Sequence, residues 1–101
     1  MSPSRFENLP RRTAYGLDVP VATGFRARAL GLSLLDRKDA GPGLLVPRCA
    51  AVHTFGMRFA LDVHFLDADG VVLSSRPAVP PRRFVAHRAA AAVLEIPAEA
   101  D

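Results

Sequence analysis

Residues 47–70 carry the pattern that decides the fold, and they read PRCAAVHTFGMRFALDVHFLDADG. Residues 52–55 and 59–66 are two β-type runs. Gly56 stands in the short connection between them, where a type II′ turn requires glycine. This arrangement predicts a β-hairpin that joins the two runs.

The register of this hairpin decides whether His53 and Asp62 can act together. With a two-residue turn, the two side chains lie diagonally on one face of the sheet. A three-residue turn would put them on opposite faces. The alternation favours the first register, because the apolar face of the second run then carries Leu61, Val63 and Phe65.

A second hairpin is predicted over residues 65–73, which read FLDADGVVL. Asp69 and Gly70 form its tip, because these residue types tolerate the positive φ angles of a tight turn. The two hairpins share the run 59–66, so we expect three successive antiparallel strands.

The rest of the chain alternates short strand patterns with breaks. Residues 15–22 follow the period-two pattern of a half-buried strand, although Pro20 confines this strand to a sheet edge or shortens it. Residues 24–31 predict one short α-helix capped by Thr23. Further strands are expected at residues 44–46, 83–87 and 92–96.

These elements predict a mainly β fold. We expect a jelly-roll-like β-sandwich or a partly closed barrel with a short α-helix near residues 24–31. The chain has 101 residues, half of them apolar, which suits one hydrophobic core. Residues 1–12 are expected to be a flexible N-terminus, and residues 13–101 to form a single β domain.

Cysteine use and apolar run lengths limit the protein class. The only cysteine, Cys49, cannot form an internal disulfide. The longest unbroken apolar stretch, residues 89–96, is far shorter than the roughly 20 residues of a membrane-spanning helix. Residues 1–12 carry charges and no apolar segment, which is not the pattern of a signal peptide. We therefore expect a cytoplasmic location and no membrane association.

The charge balance is weakly basic, with 13 Lys and Arg residues against 10 Asp and Glu residues and a net charge of +3. Nearly all the basic residues are arginine, and the adjacent arginine pairs are Arg11-Arg12 and Arg82-Arg83. Phosphate affinity rises with the number of charges on one surface, so a dispersed excess argues against specific nucleic-acid binding. Weak binding through dispersed arginines is kept as an alternative.

Five sequence elements follow one another in a fixed order along residues 13–97. They are Arg28 with Gly31-Leu32, VHTFGMRF at residues 52–59, Leu61-Asp62-Val63, FLDADG at residues 65–70 and VLEIP at residues 93–97. Together they resemble the domain of unknown function 192 family of small bacterial proteins, and the branch with a His-Thr-x-x-Met element in particular. The resemblance implies a mainly β, jelly-roll-like sandwich and no established biochemical activity.

Two enzymatic interpretations use the polar residues of the central segment. Cys49 could be a nucleophile with His53 as its base and Asp62 as the group that orients the base. In an extended strand, however, Cys49 and His53 would lie roughly 13 Å apart, so the chain would have to bend at residues 50–51. Another set, made of His53, Asp62, His64 and His87, could bind zinc or iron, but its spacing matches no common metal motif.

The favoured interpretation is a non-catalytic module that binds a small ligand or a protein partner. Its contact surface would be the face of His53, Thr54 and Asp62, flanked by Arg28 and Arg58. We expect no cofactor, no resident metal and a monomer or weak dimer. A thiol- or metal-dependent enzyme that uses Cys49, His53 and Asp62 is the alternative.

Overall fold

The computed structural model describes residues 6, 8–24, 27–28 and 31–99, and the fold within them is mainly β. One 3₁₀ turn spans Arg37–Asp39. The strands are β1 (Arg11–Ala14), β2 (Leu17–Pro20), β3 (Leu44–Pro47), β4 (Ala51–His53), β5 (Leu61–Leu66), β6 (Val72–Val79), β7 (Phe84–Ala86) and β8 (Ala92–Pro97).

The strands of the described residues form three antiparallel sheets. The largest has the order β3-β8-β5-β6, while β1 pairs with β2 and β4 pairs with β7. The mainly β prediction is confirmed, and no sheet in this part of the chain closes into a barrel. The jelly-roll arrangement stays a prediction.

The predicted helix near residues 24–31 falls partly outside the described residues, which omit positions 25, 26, 29 and 30. Where it is described, the Arg28 N–H donates to the Gly24 carbonyl at 3.0 Å, and the Gly31 N–H donates to the Ala27 carbonyl at 2.9 Å. The predicted start of the domain at Thr13 lies inside β1, which begins at Arg11.

The predicted hairpin between residues 52–55 and 59–66 is wrong. β4 pairs with β7, so that His53 lies opposite Phe84, and β5 pairs with β6 and β8. Gly56, at a φ of +83°, does lie in a turn, and the Met57 N–H donates to the Thr54 carbonyl at 3.1 Å. This turn sends the chain into a different sheet instead of back along β4.

The second predicted hairpin is confirmed, because β5 and β6 are antiparallel neighbours joined through residues 67–71. The Asp67 carboxylate closes the loop by accepting the N–H groups of Asp69 and Val71, both at 2.9 Å. Gly70 has a φ of +84°, which glycine adopts without strain. The turn residues alone were therefore sufficient to predict this hairpin.

The main core lies on one face of the four-stranded sheet. Leu61, Val63 and Phe65 of β5 project into it, as the alternation predicts, and they meet Val93 of β8. The opposite face packs against β2 through a smaller cluster that includes Val19, Leu45 and Leu94. In the described part of the chain, no helix is long and apolar enough to cross a membrane.

Candidate functional site

Glu95 is the most deeply buried acidic residue in the described part of the chain. It lies in β8, between β3 and β5, opposite Leu44 on one side and Val63 on the other. Directly opposed residues of antiparallel strands share a face, so this carboxyl projects toward the main core. The residue is 6% exposed, and its burial raises the pKa of the carboxyl from 4.5 to about 7.

The Glu95 side chain forms part of the wall of a small open cavity, here called the Glu95 cavity, with a volume of about 80 Å³. Gly31 packs closely against the carboxyl, since a Cβ at that position would lie 3.2 Å from Oε1 of Glu95. Gly31 also has a φ of +52°, so glycine meets both a conformational and a spatial requirement here. The other lining residues described are Arg28, Leu32, Val46, Cys49, Ala51, Val52, His53 and Met57.

Arg28 lines the cavity and is also hydrogen-bonded to the end of β3 and the residue that follows it. Its guanidinium donates hydrogen bonds to the carbonyls of Pro47 and Arg48. Arg48 has a φ of +50°, a conformation that non-glycine residues seldom adopt. The guanidinium therefore holds a bend in the chain immediately before Cys49.

Cys49 and His53 line the same cavity, which a straight strand would not permit. The bend at residues 48–50 interrupts the extended chain before β4 begins. The Cys49 thiol donates to the Ala51 carbonyl at 3.0 Å, and the exposed His53 lies at the rim. The structure thus brings together three of the predicted residues, Arg28, Cys49 and His53.

Asp62 is separated from this group. It faces the opposite side of the sheet from the main core, on the same side as His64. Its carboxylate accepts the N–H of Ala78 at 2.8 Å, beside a β-bulge in the β5–β6 pairing. The predicted approach of Asp62 to His53 is therefore wrong, because it depended on the β4–β5 hairpin.

Thr54 is fully buried and faces the chain between β6 and β7. Its hydroxyl donates to the Pro80 carbonyl at 2.7 Å and accepts the Arg83 N–H at 2.8 Å. Its backbone N–H donates to the Arg83 carbonyl at 2.8 Å, and its carbonyl accepts the Arg82 N–H at 3.3 Å. Thr54 therefore ties β4 to residues 80–83 and is not exposed as a ligand contact.

Replacing Thr54 with valine is expected to lower the free energy of unfolding by about 1–3 kcal/mol. Valine keeps the shape of the buried side chain but leaves the Arg83 N–H and the Pro80 carbonyl without their hydroxyl partner. Thr54→Ser keeps the hydroxyl and serves as the matched control. Urea unfolding of the three proteins checks the prediction, and equal losses for valine and serine would contradict it.

Arg58, the last predicted contact residue, lies outside the cavity wall as described. Its guanidinium forms an ion pair with Asp36 at 3.0 Å, and both side chains are more than half exposed. Exposed pairs of this kind contribute at most about 1 kcal/mol. Within the described residues, no group of three or more His, Cys, Asp or Glu side chains is arranged to hold a metal ion.

Glu95 is the functional candidate that sequence reasoning missed. The sequence predicts a strand at residues 92–96 and VLEIP at residues 93–97 is one of the elements of the family resemblance, but neither assigns a role to Glu95. The sequence does contain a signal for this burial, because a strand whose residues on both sides of a glutamate are apolar is typical of a buried strand. What the sequence could not show is that this strand lies between two others.

Comparison with known proteins places these observations in context. The family model for DUF192, described as an uncharacterized ACR, matches residues 8–100. No curated protein matches the chain significantly.

Two solved structures share the fold. One is described as a "putative transcription regulator" from Sinorhizobium meliloti 1021, with 22% identity and a TM-score of 0.66 over 87% of this chain and 78% of that one. The other is a protein of unknown function from Novosphingobium aromaticivorans DSM 12444, with 17% identity and a TM-score of 0.63 over 97% of this chain and 87% of that one. At these identities the likeness concerns the fold alone.

Proposed function

The chain belongs to the uncharacterized DUF192 family, and we propose that it is a non-catalytic module that binds a small polar molecule in the Glu95 cavity. The observation that carries the proposal is a carboxyl, buried in the core face of a central strand, that forms part of the wall of an open cavity. Burying an acidic side chain costs free energy, so a fold keeps one more readily where it has a function. Acidic residues with shifted pKa values in clefts are also enriched at functional sites.

The composition of the cavity wall indicates the chemistry of the ligand. Leu32, Val46 and Val52 make much of the wall apolar, while the Glu95 carboxyl accepts hydrogen bonds. A volume of about 80 Å³ admits a molecule of only a few heavy atoms. We therefore favour a small molecule with an N–H donor, either an amide or an alkylammonium group.

Glu95→Gln tests the proposal with methylammonium and acetamide as probes. We expect either probe to shift amide resonances around the cavity in the parent protein, and the methylammonium shifts to grow as pH rises through about 7, where Glu95 ionises. Glu95→Gln should abolish the methylammonium response. Glu99→Gln, at an exposed position, is the matched control. The proposal fails if neither probe perturbs the cavity or if both variants respond alike.

A thiol-dependent activity is the second candidate, because Cys49 and His53 line one cavity with Glu95. In such an enzyme Cys49 would be the nucleophile and His53 its base, and Glu95 would replace Asp62 as the carboxyl that orients the base. Iodoacetamide labelling of the native protein distinguishes the two candidates. Rapid alkylation of Cys49 at neutral pH that slows in His53→Ala would favour the enzyme, and slow alkylation unaffected by His53 would exclude it.

The wider setting of the protein rests on sequence features alone. A cytoplasmic location stays a prediction. A protein partner at the exposed rim around His53 is compatible with a cavity ligand, since the rim and the cavity are continuous there. The oligomeric state predicted from sequence, a monomer or weak dimer, likewise stays a prediction.

A further inference from the structure

The pairing of β4 with β7 joins two stretches of chain that contain no acidic residue. Residues 40–61 and residues 70–94 together carry six arginines and two histidines, while all ten Asp and Glu residues lie outside them. The arginines look dispersed along the sequence because acidic residues separate the two stretches. In the fold β4 and β7 are neighbours, so stretches without acidic residues flank both strands of this two-stranded sheet.

Exposed rings occupy the outer face of the same sheet, here called the ribbon face and defined by His53, Phe55 and Phe84. His53 and Phe84 are directly opposed across the two strands. The rings of His53 and Phe55 lie 5.9 Å apart between centroids. Phe55 is 55% exposed and Phe84 is 69% exposed, although phenylalanine normally contributes to a core.

Two arginines are held at the border of the ribbon face. Arg82 and Arg83 immediately precede β7, and their backbone is fixed by the hydrogen bonds to Thr54. Both side chains are exposed. The ion pairs among the described residues involve Arg11 and Arg58, which leaves the guanidiniums of Arg82 and Arg83 without a carboxylate partner there.

We propose that the ribbon face binds single-stranded nucleic acid, with bases stacked on Phe55 and Phe84 and phosphates bound by Arg82 and Arg83. Exposed aromatic rings beside unpaired arginines are the two components that single-strand binding requires. Bases within a duplex are already stacked on one another, so their faces are not available to these rings. The ribbon face shares His53 with the wall of the Glu95 cavity, but that wall as described includes neither phenylalanine nor either of these arginines, so the two proposals can be tested separately.

Fluorescence anisotropy with labelled oligothymidylate of about 12 nucleotides tests the proposal, with a duplex of equal length as the comparison. We expect tighter binding of the single strand, and an affinity that falls as salt rises. Arg82→Ser with Arg83→Ser should reduce the slope of log K against log salt by about 1.4 and weaken binding roughly 10- to 30-fold near 0.1 M salt. Arg11→Ser, which removes one charge on β1, is the matched control and should change little.

Aromatic variants separate stacking from simple hydrophobic contact. Phe84→Leu should weaken oligothymidylate binding at least about fivefold, whereas Phe84→Trp should retain it, because only aromatic rings stack on bases. Glu95→Gln should bind as the parent does, so the cavity proposal can fail without affecting this one. Equal binding of the duplex or an affinity independent of salt would overturn the proposal. A membrane surface would replace nucleic acid as the partner if two results are found together. The Phe84→Leu variant would bind oligothymidylate as tightly as the parent, and the parent would bind vesicles of phosphatidylserine and phosphatidylcholine.

Discussion

Between about pH 5 and pH 8 the free energy of unfolding is expected to fall by about 3 kcal/mol through Glu95, and Glu95→Gln should remove this fall. The carboxyl has its ordinary pKa of 4.5 in the unfolded chain and a pKa of about 7 in the fold. Across this interval the folded state holds the proton that the unfolded state has released. Stability therefore decreases as pH rises, and the full penalty is present above about pH 7.

His64 changes stability with pH in the opposite direction. Burial lowers the pKa of its imidazole, with a smaller opposing contribution from the nearby Asp62 carboxylate. The folded state therefore binds a proton less readily than the unfolded state, and this group lowers stability as pH falls below about 6.5. Since the parent and Glu95→Gln share His64, the difference between their two profiles isolates Glu95.

Urea unfolding at several pH values measures both profiles. Glu99→Gln removes an exposed carboxyl from the same end of the chain and is the control for the change of net charge. We expect its profile to follow that of the parent. If the parent and Glu95→Gln profiles stay parallel from about pH 5 to pH 8, Glu95 is not the buried acid that the structure describes.

The accuracy of the sequence-based predictions depended on how local the signal was. The β5–β6 hairpin could be predicted because Asp67 and Gly70 specify their turn within a few residues. The β4–β5 hairpin failed although Gly56 does lie in a turn. The partner of β4 is decided by Thr54, whose hydroxyl bonds to residues more than 25 positions away.

The candidate site shows the same dependence on distant pairing. Cys49, His53 and Arg28 could be selected from the sequence as chemically able residues, and the fold does bring them to one cavity. Asp62 was selected through a register that the chain does not adopt. Glu95 was missed, since its burial results from the position of β8 between β3 and β5, which is a property of the sheet order.

Phe65→Ala is expected to lower the free energy of unfolding by about 3–5 kcal/mol. The side chain is fully buried between Val93 of β8 and Ser74 of β6, and its ring lies 5.8 Å from that of His87. Its removal leaves a cavity that the sheet cannot close without moving a central strand. Phe65→Leu keeps much of the volume and should fall between the parent and the alanine variant, which keeps the measurement possible if alanine prevents folding.

Phe84→Ala is the matched control, because the same atoms are removed from a ring that is 69% exposed. We expect a loss below about 1 kcal/mol, most of it from the cross-strand contact with His53. Urea unfolding of the variants measures both losses, and similar values for Phe65→Ala and Phe84→Ala would contradict the burial described here. A small loss at Phe84 would mean that the fold does not require this ring, so its exposure on a basic surface calls for an explanation in binding rather than in stability.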